Sequence, residues 1–230
     1  MRYYPIYVNL HGKRCLVVGA GQVGRRKIAT LAACGAAEIL VIDRTPPDAT
    51  CSELVSHPAV AFACRPYAPS DLDGRFLVIA STDDEALNWA ISRECADRGI
   101  LCNIVDQPEK CSFIVPALYT QGDLTVAIST GGGSPALARK IRQGLSEFLG
   151  TEYGTLLLLM SRLRPLVLGL GLGTETNSKI FRDLVNSTLI ETLECGDAAA
   201  AETILRGILP ASLHGEAAEL VSGALLHAGA

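Results

Sequence analysis

The sequence predicts an α/β chain that ends in helices, and three observations predict it. The first half alternates short apolar runs with helix-patterned segments, the mark of a parallel sheet with crossover helices. Two further apolar runs then flank a Gln-Gly-Asp turn, which reads as an antiparallel hairpin. From Thr151 onward no strand-like run occurs, and Ala-, Leu- and Glu-rich segments separated by Gly and Pro read as a bundle of helices. The expected boundaries are 1–112 for the sheet domain, 113–150 for the hairpin and the helix after it, and 151–230 for an all-α domain.

Each element has its own signal. R-C-L-V-V-G-A, Arg14 to Ala20, is a buried strand, and Gln22 to Cys34 is a helix stopped by Gly35. Glu38 to Asp43 is the second strand, Val60 to Cys64 a weaker third, and Arg75 to Ser81 a strong fourth. Asp83 to Arg98 is helical and closed by Gly99, and Leu101 to Asp106 is the fifth strand. Phe113 to Tyr119 and Leu124 to Ser129 form the hairpin. Ser134 is an N-cap and Pro135 a first helical residue, after which Leu137, Ile141, Leu145 and Phe148 share one face. Gly154 to Gly173 is very apolar, but Arg162, Arg164 and Pro165 divide it into pieces too short to span a bilayer. It reads as a buried helix followed by a Gly-rich loop or a second helix.

At 230 residues, 49% hydrophobic and 19% charged, the chain can bury a sizeable core. A net charge of −4 argues against a general nucleic-acid binder, which carries a basic face. It leaves room for an anionic small molecule on a local basic patch. None of the eight cysteines has C-x-x-C spacing, and M-R-Y-Y-P-I-Y lacks the apolar run of a secretory leader. The expectation is a cytoplasmic protein, with no membrane partner, whose reduced thiols mostly fill core space.

Gly19-Ala20-Gly21-Gln22-Val23-Gly24 is a G-x-G-x-x-G that follows a strand, opens a helix and lies in a βαβ unit. Asp43 ends the next strand nineteen positions after Gly24. That context is the dinucleotide fingerprint of a Rossmann-like domain. Gly19 makes the tight turn, Gly21 admits the pyrophosphate to the helix N-terminus, and Gly24 lets helix and strand pack closely. Asp43 accepts from the adenine-ribose hydroxyls and favours NAD. Arg44 tempers that choice, because an arginine there can hold a 2′-phosphate. A glycine-rich turn without ligand is the plain alternative. Ligands lie at the carboxyl ends of parallel strands, so Ser81, Thr82, Asp83 and Asn103 are also expected to face the cofactor, with Gln22, Val23 and Thr45. Thr82 and Asp83 suit a helix cap as well. Asp106 ends a buried strand before Gln107-Pro108, where it serves as a tunable general base or simply as a turn former.

The stretch S-T-G-G-G-S-P-A-L-A-R-K-I-R, Ser129 to Arg142, joins three glycines to a well-capped basic helix. Its spacing is wrong for a P-loop. It reads as a tight turn and cap, or as a helix start that receives an anion.

These pieces together resemble the precorrin-2 dehydrogenase, or siroheme synthase N-terminal, family. The resemblance rests on P-I-Y-V-N-L, V-V-G-A-G-Q-V-G-R-R-K, A-S-T-D-D, C-N-I-V-D, S-F-I-V-P and A-I-S-T-G-G-G-S-P-A-L-A-R, in the family's order over roughly the first 150 residues. The helical tail matches only in length and character. The resemblance implies NAD-dependent oxidation of precorrin-2 to sirohydrochlorin, and in some members insertion of ferrous iron as a second substrate. It implies a Rossmann-like domain, a dimerisation region over 113–150, a helical C-terminal domain, an active site between them and a homodimer. It marks Asp106 as catalytic. Residues Thr130, Gly132, Ser134 and Arg139, with Lys140 or Arg142, are expected to meet the polycarboxylate substrate or the neighbouring subunit. Some relatives carry a phosphorylatable serine where this chain has Thr130. The methyltransferase domain of some relatives is not expected, since the sequence stops at Ala230, so precorrin-2 would come from a separate enzyme. No resident metal is expected; His214 and His227 are conceivable helpers in chelation, though a lone histidine is more often surface or core. The rival from another class is a non-catalytic NAD-sensing regulator, which shares the glycines and Asp43 but has no use for C-N-I-V-D and the hairpin.

Overall fold

The structure, a computed structural model, describes residues 3–48, 51–105 and 107–228, with His227 and Ala228 as backbone alone. It divides into two compact units, 1–115 and 116–230.

The first unit is a parallel sheet built from β1 (Arg14–Val18), β2 (Glu38–Asp43), β3 (Val60–Cys64), β4 (Leu77–Ala80) and β5 (Leu101–Ile104). Its strand order is β3-β2-β1-β4-β5. The crossovers carry α1 (Gln22–Ala33), a short α2 (Ser52–Ser56) and α3 (Glu85–Asp97). Strands buried on both faces read as continuous apolar runs, and Cys15, Leu16 and Val17 of β1 have no exposed surface. Alternate residues go to opposite faces. Cys15 and Val17 pack with Ile28 and Leu31 of α1, whereas Leu16 and Val18 pack with Ile91 and Cys95 of α3. The register sets Val18 beside Ile42 and Ala80, so the segments after β1, β2 and β4 leave the sheet side by side. Chain order reverses at β1, where β2 lies on one side and β4 on the other, which is where such sheets bind ligands.

The second unit holds the antiparallel pair β6 (Ala117–Gln121) and β7 (Leu124–Ile128), then α4 (Pro135–Phe148). It continues with α5 (Thr151–Gly169), α6 (Thr174–Val185), α7 (Leu189–Glu194), α8 (Ala198–Ile208) and α9 (Ala217–Ala228). Leu159, Leu163, Val167, Leu184, Leu189 and Leu205 are fully enclosed in its core.

Several boundaries differ from the sequence reading for identifiable reasons. The hairpin begins at Ala117 rather than Phe113, because Pro116 has no N–H for a ladder. Its second strand stops at Ile128, opposite Ala117, where the partner strand begins. β4 and β5 are also shorter than the apolar runs that mark them. α3 starts later than Asp83: Asp84, not Thr82 or Asp83, is the N-cap, and its carboxylate accepts the Leu87 N–H at 3.0 Å. The largest difference is α5, which runs unbroken through Arg162, Arg164 and Pro165. Leu163 and Val167 bracket that proline and are fully buried, so packing outweighs the lost backbone hydrogen bond. Arg164 stacks on Phe181 at 5.2 Å, and Arg162 lies against Gly223. Among the described residues no helix is long and apolar enough to cross a membrane. Cys15, Cys51, Cys95 and Cys102 do fill core space, whereas Cys34, Cys64 and Cys195 are exposed.

Candidate functional site

At the carboxyl ends of β1, β2 and β4, a network of backbone and small side chains shapes a turn around Gly19. The Gly19 N–H donates to the Ile42 carbonyl at 2.8 Å, and the Ser81 N–H donates to the Val18 carbonyl at 2.8 Å. The Ser81 hydroxyl donates to the Gly19 carbonyl at 2.8 Å. Gly19 has φ +96°, and a Cβ there would lie 2.5 Å from the Ser81 carbonyl oxygen. A Cβ on Gly24 would overlap the Gly19 carbonyl, so α1 sits against the turn only because both positions are bare. Gly21 differs: nothing lies within 4 Å of where its Cβ would be. It is the N-cap of α1 and makes no side-chain cap bond. The helix therefore presents free backbone N–H groups to an open space, which suits a phosphate.

Asp43 completes the turn. One carboxylate oxygen accepts the Ala20 N–H at 2.7 Å, and the other accepts the Thr45 N–H at 2.8 Å. This fixes the carboxylate with a lone pair on each oxygen still available, the arrangement a vicinal diol needs. Arg25 braces the same loop: its Nε donates to the Ala20 carbonyl and an Nη to Asp48, both at 2.9 Å. These groups open on a cavity of about 500 Å³ within the first unit. Among the residues expected to face the cofactor, Gly19, Gly21, Asp43, Arg44, Thr45, Ser81, Thr82 and Asp83 line it. Gln22, Val23, Gly24 and Asn103 do not. Gly24 acts behind the turn, and the Asn103 amide donates to the Phe113 carbonyl at 3.0 Å. Thr82 is held by Asn88, whose side-chain oxygen accepts the Thr82 hydroxyl at 2.7 Å and whose amide donates to the Thr82 carbonyl at 2.8 Å.

Arg25, Arg65 and Tyr67 also line the cavity and were not foreseen. Their signal was present, since Arg65 and Tyr67 follow β3 directly at the ligand-facing edge of the sheet. Arg65 forms a forked pair with Asp71, at 2.7 and 2.9 Å. That guanidinium holds the Asp71 carboxyl below its usual range.

Asp106 lies outside the described residues, as does the His227 side chain. His214 is engaged through Nε2 with the Leu209 carbonyl at 3.0 Å, a structural contact inside the helical unit. In the second unit, the Thr130 hydroxyl bonds both the N–H and the carbonyl of Ser134 at 3.1 Å. Ser134 caps α4 through the Leu137 N–H at 3.2 Å. Gly131 and Gly132 have φ +63° and +88°, so the loop needs them. Gly132 and Arg139 are exposed, and Leu137, Ile141 and Phe148 of α4 are exposed by 49, 42 and 72%.

The family model described as "Putative NAD(P)-binding" matches residues 6–117, and the model "Sirohaem biosynthesis protein central" matches 121–146. The chain is 37% identical to siroheme synthase of Pseudomonas fluorescens (strain Pf0-1) over 217 residues, which is 94% of this chain and 46% of that protein. It is 35% identical to siroheme synthase of Thioalkalivibrio sulfidiphilus, over 90% of this chain and 42% of that one. The chain thus spans less than half the length of these relatives. Among solved structures it shares its fold with "SirC, precorrin-2 dehydrogenase", at TM-score 0.72 and 24% identity, covering 90% of this chain and 98% of that one. The glycine turn, the two family matches and these relatives together make the chain similar to the siroheme synthases, with a "Putative NAD(P)-binding" region followed by a "Sirohaem biosynthesis protein central" region.

Proposed function

We propose that this chain oxidises precorrin-2 to sirohydrochlorin with NAD. The observation that carries the proposal is the Asp43 carboxylate, fixed by two backbone N–H groups beside the open face of Gly21, in a chain similar to the siroheme synthases. NAD, when bound, accepts a hydride from the macrocycle. The chain's own residues do the rest. Asp43 orients the adenine ribose, and the first turn of α1 neutralises the pyrophosphate. The role of Asp106 is to take the proton released with the hydride, or to hold the pyrrole nitrogens. The Thr130–Ser134 loop and Arg139 meet substrate carboxylates, a reading supported by their exposure and by the two left-handed glycines. The exposed apolar face of α4, with Leu118 of β6, supports a homodimer. The setting proposed is the cytoplasm.

The test mixes purified protein, NAD and enzymatically made precorrin-2 under anaerobic conditions without iron, and follows the visible spectrum. NAD-dependent growth of the sirohydrochlorin spectrum is the expected result. No spectral change, with NAD binding shown separately, would overturn the proposal in favour of an NAD-sensing regulator. Adding Fe²⁺ afterwards decides whether the chain also inserts iron into sirohydrochlorin.

A further inference from the structure

The cavity beside Asp43 also has an apolar, aromatic side. β3 ends at Cys64, and the next N–H, that of Arg65, donates to the Asp43 carbonyl at 2.9 Å. Tyr67 follows two residues later. Two residues span at most about 7 Å, which is within the reach of a nucleoside from its ribose hydroxyls to its base. Tyr67 and Leu87 of α3 both line the cavity, and both pack on the core that holds Leu16, Val18 and Ile91.

Tyr67 is held from two sides. Its hydroxyl donates to a Glu94 carboxylate oxygen of α3 at 3.0 Å. Asp71 grips Arg65 in the forked pair and accepts the Ala68 N–H at 2.8 Å, so the chain on either side of Tyr67 is fixed. Burial, with the Glu94 carboxylate beside it, pushes the Tyr67 phenol up, and the hydroxyl stays a donor. With that hydroxyl committed to Glu94, what Tyr67 offers the cavity is its ring. Two other aromatic side chains near the site suit a base less well. Phe62 reaches the cavity from within β3 and packs with the core on the opposite face of the sheet, under α1. Trp89 of α3 does not line the cavity; its ring lies under the Lys110 ammonium of the turn Pro108–Lys110, at 4.4 Å.

We propose that Tyr67 is the residue on which the adenine of the cofactor rests, its ring and Leu87 forming one wall of the base site while Glu94 holds the ring in place. The inference deepens the NAD reading given above and rests on it. An aromatic face attracts any purine, so this wall supplies affinity, whereas Asp43 supplies the choice of ribose.

The experiment compares Tyr67→Ala and Tyr67→Phe with the parent protein. NAD affinity is measured by calorimetry, and KM for NAD and kcat by anaerobic turnover of precorrin-2. Tyr67→Ala should bind NAD about tenfold more weakly and raise its KM alike, with kcat at saturating NAD unchanged. Tyr67→Phe keeps the ring and should stay within about threefold of the parent. A second measurement is independent of affinity: protein deuterated except at tyrosine is mixed with NAD, and nuclear Overhauser contacts from adenine H2 and H8 are recorded. A contact to a tyrosine ring that vanishes in Tyr67→Phe is expected. Its absence from NAD-bound parent protein overturns the inference and leaves the NAD reading standing. NAD affinity in Tyr67→Ala within about twofold of the parent overturns it too, as does a loss in Tyr67→Phe equal to that in Tyr67→Ala, because the ring face is then not what holds the base. No binding of NAD by the parent protein overturns the cofactor reading and this inference with it.

Discussion

In the first unit, Asp71, Asn88, Ser92 and Asn103 are buried polar side chains, and each ties down a connecting segment. Asp71 holds Arg65 and Ala68, Asn88 holds Thr82, Ser92 holds Lys110, and Asn103 holds Phe113. Among the described residues of the second unit the buried polar side chain is Thr155, whose hydroxyl returns to the Thr151 carbonyl of its own helix. The rest of that core is hydrocarbon, mostly leucine. Both units bury apolar surface to fold. The first also buries hydrogen-bonding groups, which act only at set distances and angles and therefore place loops. The second holds its shape by volume, which many leucine arrangements can fill. Substitutions in the first unit should therefore cost function before stability, and those in the second the reverse.

The largest expected effect tests the functional side of that contrast. Asp106→Asn should keep NAD binding and lose on the order of a hundredfold or more in kcat, measured by anaerobic turnover. Leu163→Ala, in the helical core, should cost about 2–5 kcal/mol of stability in denaturant unfolding, with NAD affinity unchanged. A parallel fall in NAD affinity would break the comparison. Gly24→Ala should weaken NAD binding about tenfold, measured by calorimetry, because the added methyl group displaces the Gly19 turn. The smallest effect concerns pH. The Asp71 carboxyl is held below its unfolded value of 3.8 by Arg65, so the stability it adds is whole well above that value. It is lost as pH falls through the lower folded value. Arg65→Met should cost about 1 kcal/mol at neutral pH, because the guanidinium is 44% exposed, and should flatten the acid limb of the stability curve. An unchanged acid limb would show that the pair places Arg65 without stabilising the fold.

Much of the first unit was legible because its signals are local and repeated. β2 and β3 occupy the spans their apolar runs mark, and the G-x-G-x-x-G with Asp43 needed only spacing to be read. What escaped depends on contacts between distant segments. Nothing near Pro165 states that Leu163 and Val167 will be enclosed on all sides, so a helix that packing sustains looked interrupted. Thr82, Asp83 and Asp84 all suit a cap, and the choice of Asp84 follows from Asn88 already holding Thr82. The part Asp43 plays in bonding Ala20 was hidden likewise, since it joins residues 23 apart.

The Trp89–Lys110 contact carries a practical consequence. Trp89 is the chain's single tryptophan, and it stands on α3 with its ring under the Lys110 ammonium. Its emission under selective excitation therefore comes from one place, with no second indole to dilute it. The protein carries an optical probe beside the Pro108–Lys110 turn, and a titration with ligand can be watched there without attaching a dye.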